Sequence, residues 1–255
     1  PAPGAVNVSV DDATVPFRFG AKVPVGRMVD LDRDGYADVL MRAFLQGQRA
    51  GVQHLAVHRG SASGIVSAAV WRTEIGGETL IDALPTVVGD LDADGFRELV
   101  WVQLDEVDGT IYGSLMLTRG DADGFRDASW AGVTLPEGVT RLDGYRVMDA
   151  GDLTGDGLDD VLVLVTPDEG PANARLLLFE GDAAYGFSFS APSVLWRGSG
   201  PVAAALGIGD VDGDGVADLA VGQAEAVGAS GGTGVVVVQR DRKSTRLNSS
   251  HLVIS

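Results

Sequence analysis

The chain has 255 residues, a net charge of −17 from 36 acidic and 19 basic side chains, and no cysteine. This balance argues against a nucleic-acid partner, and the lack of cysteine excludes a disulfide scaffold, a thiolate metal site and a cysteine nucleophile. No apolar run approaches the ~20 residues of a membrane span, and the sequence starts at Pro1 without an apolar signal segment, which leaves a missing signal peptide open.

In chain order, the first predicted elements are strands on either side of an acidic loop. Residues 1–29 supply the end of one strand unit and the first strand of the next, and the loop DLDRDGYAD follows at 30–38. The run ADVLMRAF then predicts a second strand, LAVHRG a third, and the segment around Trp71 a fourth. Short runs rich in Val, Leu and Ile, bounded by Gly, Asp and Pro, are typical of strands rather than helices.

The same unit recurs three more times along the chain. The loops DLDADGFRE, DLTGDGLDD and DVDGDGVAD begin at Asp90, Asp152 and Asp210, so successive loops are 60, 62 and 58 residues apart. The repeat units therefore span about 30–89, 90–151, 152–209 and 210–240. In each of the first three units a tryptophan ends the segment after the third-strand turn, and packing between units is its favoured interpretation over sugar stacking: Trp71, Trp130 and Trp196.

Four antiparallel strands in about sixty residues describe one blade of a β-propeller, and a blade buries both faces only by stacking on its neighbours. We therefore predict an all-β chain in which residues 1–240 form a partial β-propeller of three complete four-stranded blades and parts of two others. The fourth unit is predicted to lack its outer strand, which leaves an open arc and an unpaired strand near Val235–Gln239.

The last fifteen residues differ in character from the acidic chain before them. They read DRKSTRLNSSHLVIS, and the first eleven resemble the translation of a common sequencing-library adapter. We therefore interpret 241–255 as a non-native tail without function, and expect the natural sequence to be cut at about Arg240.

The acidic loops have the composition of a cation site. Carboxylates at positions 1, 3, 5 and 9 can converge on one ion with the backbone carbonyl of position 7, and glycine at position 6 permits the sharp turn. Six to eight oxygens at about 2.4 Å favour calcium over magnesium. The alternative is that these are ordinary Asp-Gly turns that bind no metal. The recurrence of the same ligand spacing in four loops argues against this alternative.

The EF-hand is a rival explanation for such a loop. It needs an acid at position 12 and flanking helices. Position 12 holds an apolar residue of a predicted strand in every loop, which excludes the EF-hand: Met41, Trp101, Val163 and Val221.

The loops, followed in the last unit by ADLAVG and GGTGVVVV, resemble FG-GAP (VCBS-type) repeats over about residues 16–240. Such repeats form the calcium-loop blades of integrin α-subunit heads and of large bacterial secreted or surface proteins, in propellers that usually have seven blades. Gln223 and Ala224 stand where the family often has Ala-Pro. The resemblance implies about four Ca²⁺ ions, one per loop, with backbone carbonyls at position 7 and these ligands: Asp30, Asp32, Asp34, Tyr36, Asp38; Asp90, Asp92, Asp94, Phe96, Glu98; Asp152, Thr154, Asp156, Leu158, Asp160; Asp210, Asp212, Asp214, Val216 and Asp218.

One loop departs from this ligand pattern. Thr154 replaces a carboxylate with a neutral oxygen. Because fewer ligand charges generally mean weaker binding, we expect the third site to be the weakest.

Other conspicuous residues receive less weight. Arg119, Gly120 and Asp121 spell RGD, an integrin ligand in some proteins, but the repeat explains them as a hairpin turn. His54 and His58 would lie about 13 Å apart on one strand, too far to share a metal, and we expect them at the surface. Trp101, which the other units lack, is a minor candidate for ligand contact.

No Ser-His-Asp arrangement, phosphate loop or histidine cluster is present, so we expect no enzyme activity. The leading interpretation is a calcium-stabilised extracellular, periplasmic or cell-surface module that serves as a binding or adhesion scaffold for a protein or glycan, with further blades of the propeller as partners. The alternative is the propeller domain of a larger secreted enzyme, such as a polysaccharide lyase or a phospholipase-like protein, because propellers host both roles.

Overall fold

The computed structural model shows an all-β chain of antiparallel sheets, and its described residues contain no α-helix. No described segment is therefore a helix that could cross a membrane. The structure describes residues 19–24, 29–45, 53–66, 69, 71–75, 80–126, 131–135, 138–141, 144–169, 173–187, 192–197, 202–224, 234–239 and 249–253.

The described strands form four four-stranded antiparallel sheets, each built from the strand before an acidic loop and three strands after it. The first is β1 (Phe19–Pro24), β2 (Val39–Leu45), β3 (Gln53–His58) and β4 (Trp71–Ile75), paired in that order. The second is β5 (Leu80–Val87), β6 (Leu99–Val107) and β7 (Thr110–Thr118), then, after a small hairpin of β8 (Gly120–Asp121) and β9 (Gly124–Phe125), β10 (Ala131–Thr134).

The third and fourth sheets repeat this plan. The third is β11 (Tyr145–Gly151), β12 (Asp160–Val165) and β13 (Arg175–Phe179), then a small hairpin of β14 (Gly181–Asp182) and β15 (Gly186–Phe187), then β16 (Ser193–Arg197). The fourth is β17 (Val202–Gly209), β18 (Asp218–Ala224), β19 (Gly234–Gln239) and β20 (Ser249–Val253). In every sheet the acidic loop joins the first strand to the second, as the sequence predicts.

The outer strand of the fourth sheet corrects one expectation. Val235–Gln239 is not an unpaired edge, because Ser249–Val253 pairs with it antiparallel from Gln239↔Ser249 to Val235↔Val253. The described residues thus hold four complete four-stranded sheets rather than three with parts of two others, and any strand of a preceding blade within 1–18 lies outside them. Strand pairing uses backbone groups that nearly every residue has, so an edge accepts a segment whose side chains do not resemble a strand.

The core lies between the sheets, and the second and third sheets pack apolar side chains on both faces. In β12 all six residues are buried. Val161, Val163 and Val165 face the second sheet, whereas Leu162 and Leu164 face the fourth. A strand buried on both faces reads as a continuous apolar run rather than as an alternating one, which is the pattern VLVLV.

Backbone hydrogen bonds also join consecutive sheets at the acidic loops. The position-8 N–H of one loop donates to the position-1 carbonyl of the preceding loop, from Asp159 to Asp90 at 3.1 Å and from Ala217 to Asp152 at 2.8 Å. These equivalent bonds align successive loops along one edge of the stack.

Two minor sequence expectations need correction. His58 is not at the surface: it is 1% exposed, and its Nδ1 lies 3.2 Å from the Val66 carbonyl oxygen. Trp101 is also 1% exposed and packs with Leu55 and Leu99 between the first and second sheets, so it has no surface to offer a ligand. The His54 side chain and the side chains of the unit-ending tryptophans lie outside the described residues.

Candidate metal centre

Each acidic loop turns through left-handed backbone at two positions. The predicted glycine at position 6 has a φ of 90° to 94° in all four loops: Gly35, Gly95, Gly157 and Gly215. Position 4 is left-handed as well, and there the first two loops use Arg33 and Ala93, at φ values of 65° and 59°. A Cβ is disfavoured in this region, so these two loops contain backbone strain that sequence analysis did not anticipate.

The side chains of the position-1 and position-5 aspartates accept hydrogen bonds from backbone N–H groups of their own loop. Asp210 Oδ1 accepts the N–H groups of Gly213 at 2.6 Å and Asp214 at 3.1 Å, and its Oδ2 accepts that of Gly215 at 2.9 Å. The hydrogen bond from Gly215 is the main reason that the pKa of Asp210 is lowered. In every loop the position-5 carboxylate accepts the position-7 N–H at 2.8 to 2.9 Å: Asp34, Asp94, Asp156 and Asp214.

The position-9 acids tie each loop to its own sheet. Asp160 Oδ2 accepts the N–H groups of Leu153 at 2.8 Å and Thr154 at 3.0 Å, and its Oδ1 accepts that of Gly181, beyond the third strand, at 2.9 Å. All four position-9 acids are at most 2% exposed: Asp38, Glu98, Asp160 and Asp218. Burial raises the pKa of Asp160 to about 7 and that of Glu98 to about 8.

The second loop brings its four acids together. Asp90, Asp92, Asp94 and Glu98 each place one carboxylate oxygen within 4.8 Å of the others. Asp90 Oδ1 and Asp92 Oδ2 are buried without a hydrogen-bond partner, and burial raises the pKa of Asp92. Because buried carboxylate oxygens without partners are costly, the site fits a hard cation that would bind them and neutralise the cluster.

The first and fourth loops form smaller groups of three. Asp30, Asp32 and Asp38 meet the 4.8 Å criterion, and so do Asp210, Asp212 and Asp218. The predicted position-5 ligands, Asp34 and Asp214, are not members of these groups. Both loops therefore assemble part of the predicted ligand set.

The third loop differs from the other three. Among the described residues, its Asp152, Asp156 and Asp160 do not form a group within 4.8 Å. Asp152 accepts the N–H groups of Gly155, at 2.6 Å, and of the next two residues, and Thr154 Oγ1 lies 3.5 Å from Asp152 Oδ1. The loop that the sequence ranks weakest is thus also the one that forms no group of three carboxylates among the described residues.

Two arginines beyond the third strands contact the position-3 carboxylates. Arg59 Nε lies 2.6 Å from Asp32 Oδ2, and Arg119 Nε lies 3.1 Å from Asp92 Oδ2. Arg59 Nε and Asp92 Oδ2 are buried without a hydrogen-bond partner, so these contacts are ion pairs rather than hydrogen bonds. Since Arg119 pairs with the side chain of Asp92, which is 1% exposed, the RGD tripeptide is part of the loop's support.

The loops, their glycines and their acids are predictable from the sequence, whereas the partners of the position-3 and position-9 acids were not predicted. The double role of the position-9 acid has a visible signal, because a glycine follows the third strand at 60, 120 and 181 wherever that hydrogen bond forms. The arginine partners also had a signal, since Arg precedes Gly60 and Gly120 and Glu precedes Gly181. The position-7 carbonyls stay predicted ligands: Tyr36, Phe96, Leu158 and Val216.

Comparison with protein families identifies residues 152–221 as an FG-GAP-like repeat. This range starts at position 1 of the third loop, crosses β17 and the fourth loop, and ends within β18. A search of curated proteins found no match to the chain. The family match, the acidic loop between the first two strands and the repeated four-stranded sheets agree with one another, and residues 152–221 of the chain form an FG-GAP-like repeat.

Proposed function

We propose that the chain is a calcium-binding β-propeller module of an extracellular, periplasmic or cell-surface protein, and that it serves as a binding or adhesion scaffold rather than as an enzyme. The observation that supports calcium binding best is the second loop, where four carboxylates converge and two buried oxygens lack hydrogen bonds. Asp90, Asp92, Asp94 and Glu98, with the Phe96 carbonyl, would hold the ion.

The ion's role in this proposal is structural. A bound Ca²⁺ would neutralise the repulsion between the acids of one loop and fix the turn between the first and second strands. Since these loops also make the backbone contacts between sheets, ordering a loop would order the stack. Millimolar calcium outside cells is enough for weak sites, which favours an extracellular location.

The four sites are proposed to differ in affinity. The second loop presents four converging carboxylates, and the first and fourth present three. The third has Thr154 in place of an acid and forms no such group among the described residues. We therefore rank the second site as the tightest and the third as the weakest.

The test is calcium titration of the full chain by calorimetry, together with thermal melts in calcium and in chelator. Asp94→Asn keeps the acceptor for the Phe96 N–H but removes a ligand charge, so the tightest binding event should weaken about tenfold or more. Asp108→Asn is the matched control, because Asp108 is an exposed residue of the β6–β7 turn.

Two results would contradict the proposal. One is an unfolding midpoint of the unaltered chain that is the same in calcium and in chelator. The other is an equal loss of calcium affinity in the Asp94→Asn and Asp108→Asn variants, which would locate the binding outside the second loop.

A further inference from the structure

Arg59 and Arg119 each contact two repeat units at once. Besides the ion pair to Asp32, the Arg59 guanidinium donates from Nη2 to the Ala122 carbonyl at 2.6 Å, in the β8–β9 turn of the next unit. Besides the ion pair to Asp92, Arg119 Nη2 donates to the Ala184 carbonyl, in the equivalent turn of the third unit. The same side chain therefore joins a position-3 carboxylate to the following sheet.

The third unit changes both members of this pair together. Thr154 stands at position 3, and Glu180 stands where Arg59 and Arg119 precede their glycines. The hydrogen bond from Gly181 to Asp160 matches that from Gly120 to Glu98, so Glu180 and Arg119 occupy equivalent places in the fold. The arginine is present in the first two units, which have a carboxylate at position 3, and an acid replaces it in the third unit, which has threonine there. This covariation within the chain indicates that the arginine is matched to the position-3 carboxylate.

The arginine and a cation would compensate the same charge. The Asp92 side chain is 1% exposed and that of Asp32 is 8% exposed, so their charges are poorly solvated. Without a partner such a charge is strongly destabilising. A guanidinium presents several donors in a fixed fork, which allows one group to serve the carboxylate and a second group elsewhere.

We propose that Arg59 and Arg119 are positioning residues that hold the position-3 carboxylate in place before a cation arrives and connect that loop to the next sheet. This inference rests on the proposed calcium function. In the first two units, each arginine would connect the metal-bound or metal-free state of its loop to the contact with the following unit. The third unit lacks this connection.

The test is thermal unfolding of the Arg119→Gln variant in chelator and in saturating calcium. In chelator, Asp92 loses its compensating charge, and the midpoint should fall by about 3 °C or more. In calcium, the ion compensates Asp92, so the midpoint should fall by less, and the rise that calcium causes should be larger than in the unaltered chain.

The control is Arg126→Gln. Arg126 pairs with Asp94 of the same loop at 2.9 Å, but its side chain is 47% exposed, so the midpoint should move little in either condition. An equal fall in chelator and in calcium for Arg119→Gln would show a purely structural contact and overturn the inference, while the calcium response of the unaltered chain would still support the proposed function. No calcium response in the unaltered chain would overturn both.

A second test installs the pair in the third unit, and it does not depend on the stability of Arg119→Gln. Thr154→Asp alone should lower the midpoint in chelator, and Glu180→Arg added to it should restore the midpoint beyond the sum of the single changes. Additive effects of the two substitutions would contradict the inference.

Discussion

At the residue scale, the position of an acid within its loop determines its role. The sequence predicts acids at positions 1, 3, 5 and 9 as one ligand set, but the structure gives them different hydrogen-bond partners. The position-9 acid is buried and bonded to backbone on two sides, as Asp160 shows, whereas Asp90 and Asp92 keep oxygens without hydrogen bonds. Spacing alone predicts which residues are near one another, but it does not predict which backbone N–H each oxygen accepts.

The buried Glu98 gives the metal-free chain a distinctive pH dependence. Its pKa in the folded chain, about 8, lies above its ordinary value because of burial, so the folded state retains a proton that the unfolded state releases. The free energy of unfolding should therefore fall as the pH rises from about 5 to 8.5. Urea unfolding of metal-free protein across this range measures the slope.

The Glu98→Gln variant isolates this effect, because glutamine keeps the shape and does not titrate. Its slope should be shallower than that of the unaltered chain. Equal slopes would mean that other groups cause the dependence. Calcium should reverse the trend at the second loop, since its ligands bind the ion when deprotonated.

The strained position 4 offers a stabilising substitution. Ala93 has a φ of 59° and is exposed, and glycine occupies the equivalent place in the third and fourth loops. Ala93→Gly should raise the free energy of unfolding by about 0.5–1 kcal/mol, because the left-handed penalty exceeds the entropy cost of glycine. Ala122→Gly, in an exposed turn where no positive φ is found, is the comparison for chemical denaturation. A gain no larger than that of Ala122→Gly would argue against strain at Ala93.

At the element scale, apolar runs with turn residues at their ends made the strands predictable. The run VLVLV indicates a strand buried on both faces, and β12 has that character. The partner of β19 was not predictable in this way, because Ser249–Val253 pairs through its backbone and its side chains offer little strand signal. Strands are therefore most predictable from the sequence where side chains determine burial, and least predictable at sheet edges.

The two-sided burial of β12 can be tested by truncation. Val163 is 0% exposed and belongs to the core between the second and third sheets, whereas Val194 in β16 is 39% exposed. Val163→Ala should lower the free energy of unfolding by about 2 kcal/mol through lost burial and a residual cavity. Val194→Ala should cost well under half as much in the same urea titration, and equal losses would contradict the assigned packing.

At the whole-molecule scale, the repeat spacing predicts stacked sheets, and the described part of the stack leaves one face of the fourth unit open. Position 2 of the loop is 3%, 0% and 9% exposed in the first three units, at Leu31, Leu91 and Leu153, but Val211 is 58% exposed in the fourth. Leu206 nearby along the chain is 57% exposed. Apolar side chains that a following unit covers elsewhere are thus accessible here.

This open face should make the 255-residue chain self-associate. Exposed apolar patches of this kind favour contact between molecules, so sedimentation should detect species larger than the monomer even in calcium. Val211→Ser with Leu206→Ser should shift the distribution toward monomer. Val107→Ser, which alters an exposed valine at the end of β6, should leave the distribution unchanged. A monodisperse monomer of the unaltered chain would contradict the prediction.

The backbone bonds between sheets have a mechanical consequence. Among the described residues, three of these backbone bonds involve an acidic loop, from Asp159 to Asp90, from Asp182 to Leu91 and from Ala217 to Asp152, whereas one, from Asp168 to Gly138, lies at the opposite end of β12. Toward the opposite rim, side-chain packing holds neighbouring sheets, and the β6–β7 turn is exposed. Because most of these backbone bonds lie at the acidic loops, neighbouring sheets under mechanical load should separate first at the opposite rim and last at the rim of the acidic loops.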